Sequence, residues 1–591
     1  MIKFLKYTLA TFAGGIIAGI VLFFIGFGIL MGIAGLAAAG DKEAKIEENT
    51  ILLLELNGPI VERSTDDPFA EAFASLSGAP TPEGLNRILS NIKKAKRDEN
   101  ITGIVLESGL MSAGYATIEE IRNALIDFKE SGKFIYSFAP IYTQKAYYLA
   151  SVADKIYLNP GGMLEFKGLF AQRMFFKGTL EKLGVEMQVF KHGEFKSAVE
   201  PFLLEKMSDP ARLQTETYLN SMWGHLVGKI AETRGLSADE LKAVADKMPM
   251  FRNQDELLES GLVDGLKYKD EVIAELKELT ETEESDDLKA IKNSKYAKVY
   301  VPKETKGLIR DKIAVIYAEG EIDGADRNQG INSEKISKAI RKARRDSSIK
   351  AIVFRVNSPG GSALGSEIIW REVKLAQETK PFIVSMGDLA ASGGYYISCE
   401  ADAILAHPTT LTGSIGIFGM IPNTQGLMKK IGLSFDGVKT NEFADMPSLN
   451  RPFRKEERAL LQAYIEMGYD NFVTRCADGR KTTKEAIGKV AEGRVWSGEN
   501  ALDINLVDKL GGINDALALA QEKAGLEKYR VVELPEIPDP FEQFIKELTG
   551  EARMFVGKSI MGEEYEYLHT LENLKNGHQV QARMPYNIEV Y

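Results

Sequence analysis

Ser392 stands in Gly387-Asp388-Leu389-Ala390-Ala391-Ser392-Gly393-Gly394-Tyr395-Tyr396, among neighbours too small to shield a hydroxyl from an approaching backbone. A serine so placed suits nucleophilic attack on a carbonyl, and it suits a helix N-cap equally well. A second departure from regular patterning is Asn357-Ser358-Pro359-Gly360-Gly361-Ser362, directly after an apolar run. Adjacent glycines let the backbone turn sharply and present N–H groups. Such donors, together with the N–H of Gly393, suit an oxyanion whose charge develops in a transition state. A plain strand-to-helix turn is the alternative reading. A serine hydroxyl also needs a base at neutral pH. His192 is the nearest histidine by context, in Lys191-His192-Gly193-Glu194-Phe195-Lys196, but nothing in the sequence assigns it a carboxylate orienter. A lysine replaces histidine when desolvation lowers its pKa.

The elements that must position these residues are legible in the patterning. Ile313–Tyr317, Ala351–Val356 and Phe382–Ser385 read as buried strands. Between them, Ser333–Arg345 reads as a helix, with Ser333 as N-cap and Ile336, Ile340 and Ala343 on one face, and Ser366–Glu378 as another. Alternating strands and helices predict an α/β fold with a largely parallel sheet.

Self-comparison reveals a repeat. Ile104-Val105-Leu106-Glu107 matches Ile352-Val353-Phe354-Arg355 at an offset of 248 residues. The same offset relates Tyr147-Tyr148 to Tyr395-Tyr396, Glu194-Phe195 to Glu442-Phe443 and Gln214 to Gln462. The chain therefore holds two copies of one domain, at residues 45–278 and 312–530. Residues 279–311, rich in charge, read as an exposed and partly helical linker. Residues 531–591 form a tail without a counterpart in the first copy.

A chain of 591 residues is too long for one core, in keeping with two large domains. Its composition is ordinary for a globular protein, and a net charge of -11 gives no reason to expect nucleic acid as a partner. Two cysteines make no disulfide framework, and no CxxC or HExxH spacing occurs, so no metal or other cofactor is expected. The N-terminus is exceptional: Tyr7 to Gly40 is a run of 34 residues without a charge. It is long enough for a transmembrane helix, and residues 1–44 read as an anchor. Lys3 and Lys6 precede it, while Asp41, Glu43, Glu47 and Glu48 follow, mixed with Lys42 and Lys45. The positive-inside rule then puts the N-terminus in the cytoplasm and everything after the anchor outside. A cleaved signal peptide ending near Ala37-Ala38-Ala39 is the alternative.

Gly193–Phe202, Asn357–Ser362 and Ser385–Tyr396, in that order, resemble the motifs of the signal peptide peptidase A (protease IV) family in its long, duplicated form. The resemblance covers about residues 45–530 and includes the anchor. It implies tandem Clp protease/crotonase-like domains, built of stacked βαβ units, in a membrane-bound serine endopeptidase. It makes Ser392 the nucleophile, Lys196 the general base and Ser414 the residue that orients the lysine, with Gly360, Gly361 and Gly393 around the oxyanion. It implies cleaved signal peptides and other apolar peptides as substrates, the bilayer of the cytoplasmic (inner) membrane as partner, catalytic domains on the periplasmic side, and a homotetramer. Leu389, Ile415 and Phe418 flank the motifs and either line substrate pockets or belong to the core. The repeat sharpens the expectation. Position 392 less 248 is Gln144, and position 196 plus 248 is Ala444, so neither copy alone holds both a hydroxyl and an amine. The first copy also has Gly109-Leu110-Met111-Ser112-Ala113-Gly114 in place of the paired glycines. One composite site across both copies is expected, within one chain or between neighbours. An acyl-CoA enzyme of the crotonase fold and a non-catalytic membrane scaffold are the rival readings.

Overall fold

The computed structural model describes residues 46–65, 81–302, 309–324 and 330–537, the backbone of Val580–Arg583, and scattered positions before residue 33. Most of the expected anchor lies outside the described residues, and among those described no helix is long and apolar enough to cross a membrane.

Each copy builds one mainly parallel sheet from strands apolar on both faces, as helix-covered parallel sheets require. The first sheet runs Gly265–Leu266, Lys155–Leu164, Phe134–Tyr142, Ile101–Leu106, Thr50–Leu54, Ala290–Lys292, parallel throughout. The main path of the second runs Val495–Ser497, Leu411–Gly413, Phe382–Ala391, Ile349–Ser358, Lys312–Glu319, Arg530–Leu534. Here only Val495–Ser497 pairs antiparallel. The two orders correspond, with the central strands related by the repeat.

The correspondence moves both expected boundaries. Ala290–Lys292, inside the segment read as a linker, is the edge strand of the first sheet beside Thr50–Leu54. Its neighbour Tyr296 is buried, with its hydroxyl on Asp98 at 2.9 Å. Arg530–Leu534 takes the same place beside Lys312–Glu319, so the start of the tail belongs to the second sheet. A short edge strand after a helix carries too few residues to show the period that a sequence reading needs.

The expected helix forms over Ser333–Arg345, but its N-cap is Asn332, whose Oδ1 accepts from Lys335 N at 2.9 Å. Ser333 lies inside the first turn. The next helix is Ala363–Gln377, three residues ahead of the expected start, because Ser362 Oγ accepts from Gly365 N and caps it.

Alternation in the second sheet divides its side chains between two cores. Ala314, Ile316, Ile352, Phe354 and Val384 pack with Ile336, Ile340, Ile369 and Val373 of the copy's own helices. Ile313, Val315, Ala351, Val353 and Ile383 share a cluster with Ile118, Ile121, Leu125 and Phe128 of the first copy. The two copies thus bury one continuous apolar surface.

A third, antiparallel sheet joins them at one end, in the order Gly360–Ser362, Val580–Arg583, Phe418–Asn423, Glu186–Lys191. Phe418 pairs with Lys191 and Asn423 with Glu186, a ladder between the second copy and the first. Because the second sheet needs the first copy to cover one face, residues 309–591 produced alone should bind a hydrophobic dye and unfold without a sharp transition. The full chain should do neither, and calorimetry of the two proteins checks this.

Candidate active site

The strand Phe382–Ala391 delivers Ser392 at φ 56° and ψ −114°, an unfavourable conformation for a residue with a Cβ. Its N–H is tied to Gly413 O at 2.8 Å. Its side chain makes no cap bond to the helix Gly393–Tyr396 that follows, so the N-cap alternative falls away. The backbone instead aims the hydroxyl sideways, toward the first copy.

Lys196 reaches it from there. Lys196 Nζ lies 2.8 Å from Ser392 Oγ, 3.1 Å from Ser414 Oγ and 3.2 Å from Ser414 O. All three residues are fully buried. Ser414, at φ 50°, is held by its N–H to Arg494 O at 2.7 Å, and its hydroxyl lies 3.3 Å from Gly493 O. The pairing is within one chain.

The lysine backbone is seated by the second copy. Phe195 N donates to Glu492 O at 3.1 Å, and Gly493 passes so close that a Cβ there would stand 2.6 Å from Lys196 Cβ. At φ 81°, only glycine fits position 493 without strain. Gln214 ties the same segment to the second sheet: its Nε2 donates to Phe195 O and Ser197 Oγ, each at 3.0 Å, and its Oε1 accepts from Val495 N at 3.0 Å. Gln462, its repeat partner, donates to Lys191 O at 3.2 Å. The match of these two glutamines was visible in the repeat, but nothing in the sequence said what they would hold.

Burial alone holds the Lys196 ammonium well below its usual range. Burial disfavours the charged form, and among the described residues no carboxylate shifts the balance back toward it. Its three partners are two hydroxyls and one carbonyl, Ser392 Oγ, Ser414 Oγ and Ser414 O.

The glycine turn is more particular than expected. Gly360 N donates to Ser358 Oγ at 3.1 Å, so this N–H is already engaged, which leaves Gly361 and Gly393 as the candidate oxyanion donors. Gly361 lies against Ile322, where a Cβ would meet Ile322 O at 2.2 Å.

The first copy's counterpart positions form no such site. Gln144 is buried, and its amide bonds Tyr115 Oη, Gly168 O, Lys167 N and Gly168 N, filling the position equivalent to Ser392. Ala444 is exposed on a turn. His192 faces Glu466 and stacks on Tyr469 at 3.8 Å between ring centroids, away from this chemistry. Of the flanking apolar residues, Ile415 is buried in the second core, and Leu389 packs against the cluster shared by both copies. Phe418 forms a small cluster with Ala198 and Val199 just past Lys196. A cavity of about 390 Å³ opens beside that cluster, lined by Val199, Leu203, Leu204 and Pro210 among others.

The model of peptidase family S49 matches residues 127–283 and 374–527. Protease 4 of Salmonella typhi is 36% identical over 555 residues, covering 91% of this chain and 89% of that protein. Protease 4 of Haemophilus influenzae is 35% identical, covering 84% and 83% respectively. The chloroplastic serine protease SPPA of Arabidopsis thaliana is 32% identical, covering 91% and 78%. Among solved structures, a ClpP1 mutant from Listeria monocytogenes aligns over 34% of this chain and 94% of its own, at 15% identity and a TM-score of 0.24. The α/β folding, the matched family model and relatives of nearly full length agree: the chain belongs to peptidase family S49 and is a serine peptidase.

Proposed function

We propose that the chain is a Ser–Lys endopeptidase that degrades cleaved signal peptides and other apolar peptides at the outer face of the cytoplasmic membrane, held there by its N-terminal segment and working as a homotetramer. The observation that carries this reading is the approach of Lys196 Nζ to Ser392 Oγ at 2.8 Å in a fully buried setting. Neutral Lys196 takes the Ser392 proton as Oγ bonds to the peptide carbonyl carbon. The oxyanion accepts from the N–H groups of Gly361 and Gly393. Ser414 holds the amine in line through the two contacts described above. The lysinium then protonates the leaving amine, and water, deprotonated in turn by Lys196, releases the acyl group from Ser392.

A second observation favours a peptide over an acyl-CoA thioester. Val580–Arg583 lies as an extended strand between Gly360–Ser362 and Phe418–Asn423, with Gly361 opposite Ala582 and Phe418 opposite Gln581. It also packs against the helix Gly393–Tyr396 that follows Ser392. Backbone pairing on both sides is how an extended peptide is held, and an acyl chain offers no such donors and acceptors. A substrate strand would take the place of this segment. The cavity beside Val199 offers Leu203, Leu204 and Pro210 to hydrophobic side chains, with Lys191, Glu194 and Glu200 also in its walls, and the charges around the 34-residue apolar run suit an outward-facing enzyme.

Ser392→Ala and Lys196→Ala should each lower kcat on a synthetic signal peptide by about 10⁴-fold or more, with the circular dichroism spectrum unchanged. Mass spectrometry of the products checks this, and undiminished cleavage by either variant would refute the assignment.

The pH dependence has a definite sign. Lys196 must be neutral to act, so kcat/KM should rise with pH through its lowered pKa and level off below 10.5, the ordinary lysine value. The unfolded chain keeps that proton up to about 10.5, so folding releases it and wild-type stability rises with pH across the same window. Lys196→Met should therefore be inactive, yet more heat-stable than wild type at neutral pH, with the gain shrinking as pH approaches 10.5. Thermal melts across pH read this out.

A further inference from the structure

The ladder between Ile349–Ser358 and Phe382–Ala391 is regular up to Val356 opposite Met386 and resumes at Ser358 opposite Ala390. In the gap, the single residue Asn357 stands against three, Gly387, Asp388 and Leu389. This bulge immediately precedes the last strand residues before Ser392, and bulges beside active sites re-aim the side chains that follow them.

Side chains of the second copy replace the missing backbone bonds, and two residues of the first copy hold the side chains around the bulge. Asp388 Oδ1 accepts from Thr117 N at 3.0 Å, and Asp388 Oδ2 accepts from Thr117 Oγ1 at 2.6 Å. Thr117 is the third residue of the helix Tyr115–Lys129, whose own N-cap, Gly114, has no side chain to offer. Asp388 thus caps a helix of the other copy, where a carboxylate is favoured. Gly114 makes room for it: a Cβ there would lie 2.1 Å from Asp388 Cγ.

Glu62, also of the first copy and buried, takes the other flank. Its Oε1 accepts from Asn357 Nδ2 at 2.9 Å, and Asn357 Oδ1 accepts from Leu389 N at 3.2 Å. Its Oε2 accepts from Arg355 Nε at 2.7 Å, and Arg355 Nη1 reaches Ser385 Oγ at 3.0 Å and Met386 O at 3.3 Å. From the second copy, Thr410 Oγ1 donates to Gly387 O at 2.8 Å. The clamp runs one way, since position 388 less 248 is Pro140, which carries no carboxylate.

We propose that Thr117 and Glu62 are positioning residues: through Asp388 and Asn357 they lock the Gly387–Leu389 bulge, and the bulge sets where Ser392 Oγ stands relative to Lys196 Nζ and the Gly361 N–H. The first copy then contributes the frame that aims the nucleophile as well as the amine beside it. This inference rests on Ser392 being the nucleophile.

The test is the rate at which a fluorophosphonate labels Ser392, located by mass spectrometry, with kcat and KM on one peptide, for Thr117→Val, Thr117→Ser and wild type. Valine keeps the shape and the N–H but removes the hydroxyl donor, while serine restores the donor. A misplacement of a fraction of an ångström to one ångström should slow Thr117→Val labelling and kcat by about tenfold to a hundredfold. KM should stay within about twofold, and Thr117→Ser should behave as wild type. Equal labelling of Thr117→Val and wild type, or a loss that serine does not restore, overturns the clamp. Failure of wild type to label at Ser392 overturns the catalytic reading instead.

Discussion

A lysine amine taken fully out of water, with no carboxylate beside it, is a costly thing for a protein to hold, and the site is organised around that cost. Burial depresses the Lys196 ammonium well below its usual range, and its polar contacts are made to Ser392 and Ser414. The arrangement works only if both copies press together without slack. Glu492 and Gly493 from one side and Gln214 from the other leave the Lys196 backbone little freedom, so the amine stays where its lone pair meets a hydroxyl. Water admitted along this seam would stabilise the ammonium and remove the base.

The seam is strong because it is mostly apolar. One face of the second sheet lies in the same cluster as the first copy's helices, so separating the copies would expose Val315, Val353 and Ile383. The ladder between Phe418–Asn423 and Glu186–Lys191 adds direction. It fixes the register of the segment leading to Lys196 against the segment following Ser414. Within the seam sits a buried ion group: Arg355 is 2.7 Å from Glu62 and 2.6 Å from Glu120, and all three are almost wholly buried. Such a group adds little net stability, but each partner penalises any arrangement that leaves another unpaired. That suits a place where two copies must meet in one register.

The two copies carry different side chains at equivalent positions of the repeat. Gln144, at the position equivalent to Ser392, bonds its surroundings as a polar knot. Ala444, left on an exposed turn, has no amine to bury. Lys196 and Ser392 thus come from different copies and meet between them.

The residues themselves declared a good deal. Small neighbours marked Ser392, paired glycines marked the oxyanion turn, and alternation of apolar runs marked the parallel sheets, because accessibility, positive φ and two-sided burial each restrict residue type locally. The duplication was legible from the offset alone, and with the roles the family resemblance implies it led to the expectation of one site shared by both copies. Edge strands such as Ala290–Lys292 were not legible, since three residues with exposed flanks carry no period. Nor was the engagement of the Gly360 N–H by Ser358, nor the bulge at Gly387–Leu389, because both depend on which strand lies alongside and in what register. Local chemistry and repetition are written in the order of residues, so the sequence by itself determined where small-residue and glycine motifs break the strand–helix pattern and that the chain holds two copies of one domain. The lowered basicity of Lys196, its contact with Ser392 of its own chain and the bonds from Thr117 and Glu62 to the segment before Ser392 were decided only by tertiary structure. Desolvation and hydrogen-bond geometry arise between surfaces that are far apart along the chain and meet only when it folds.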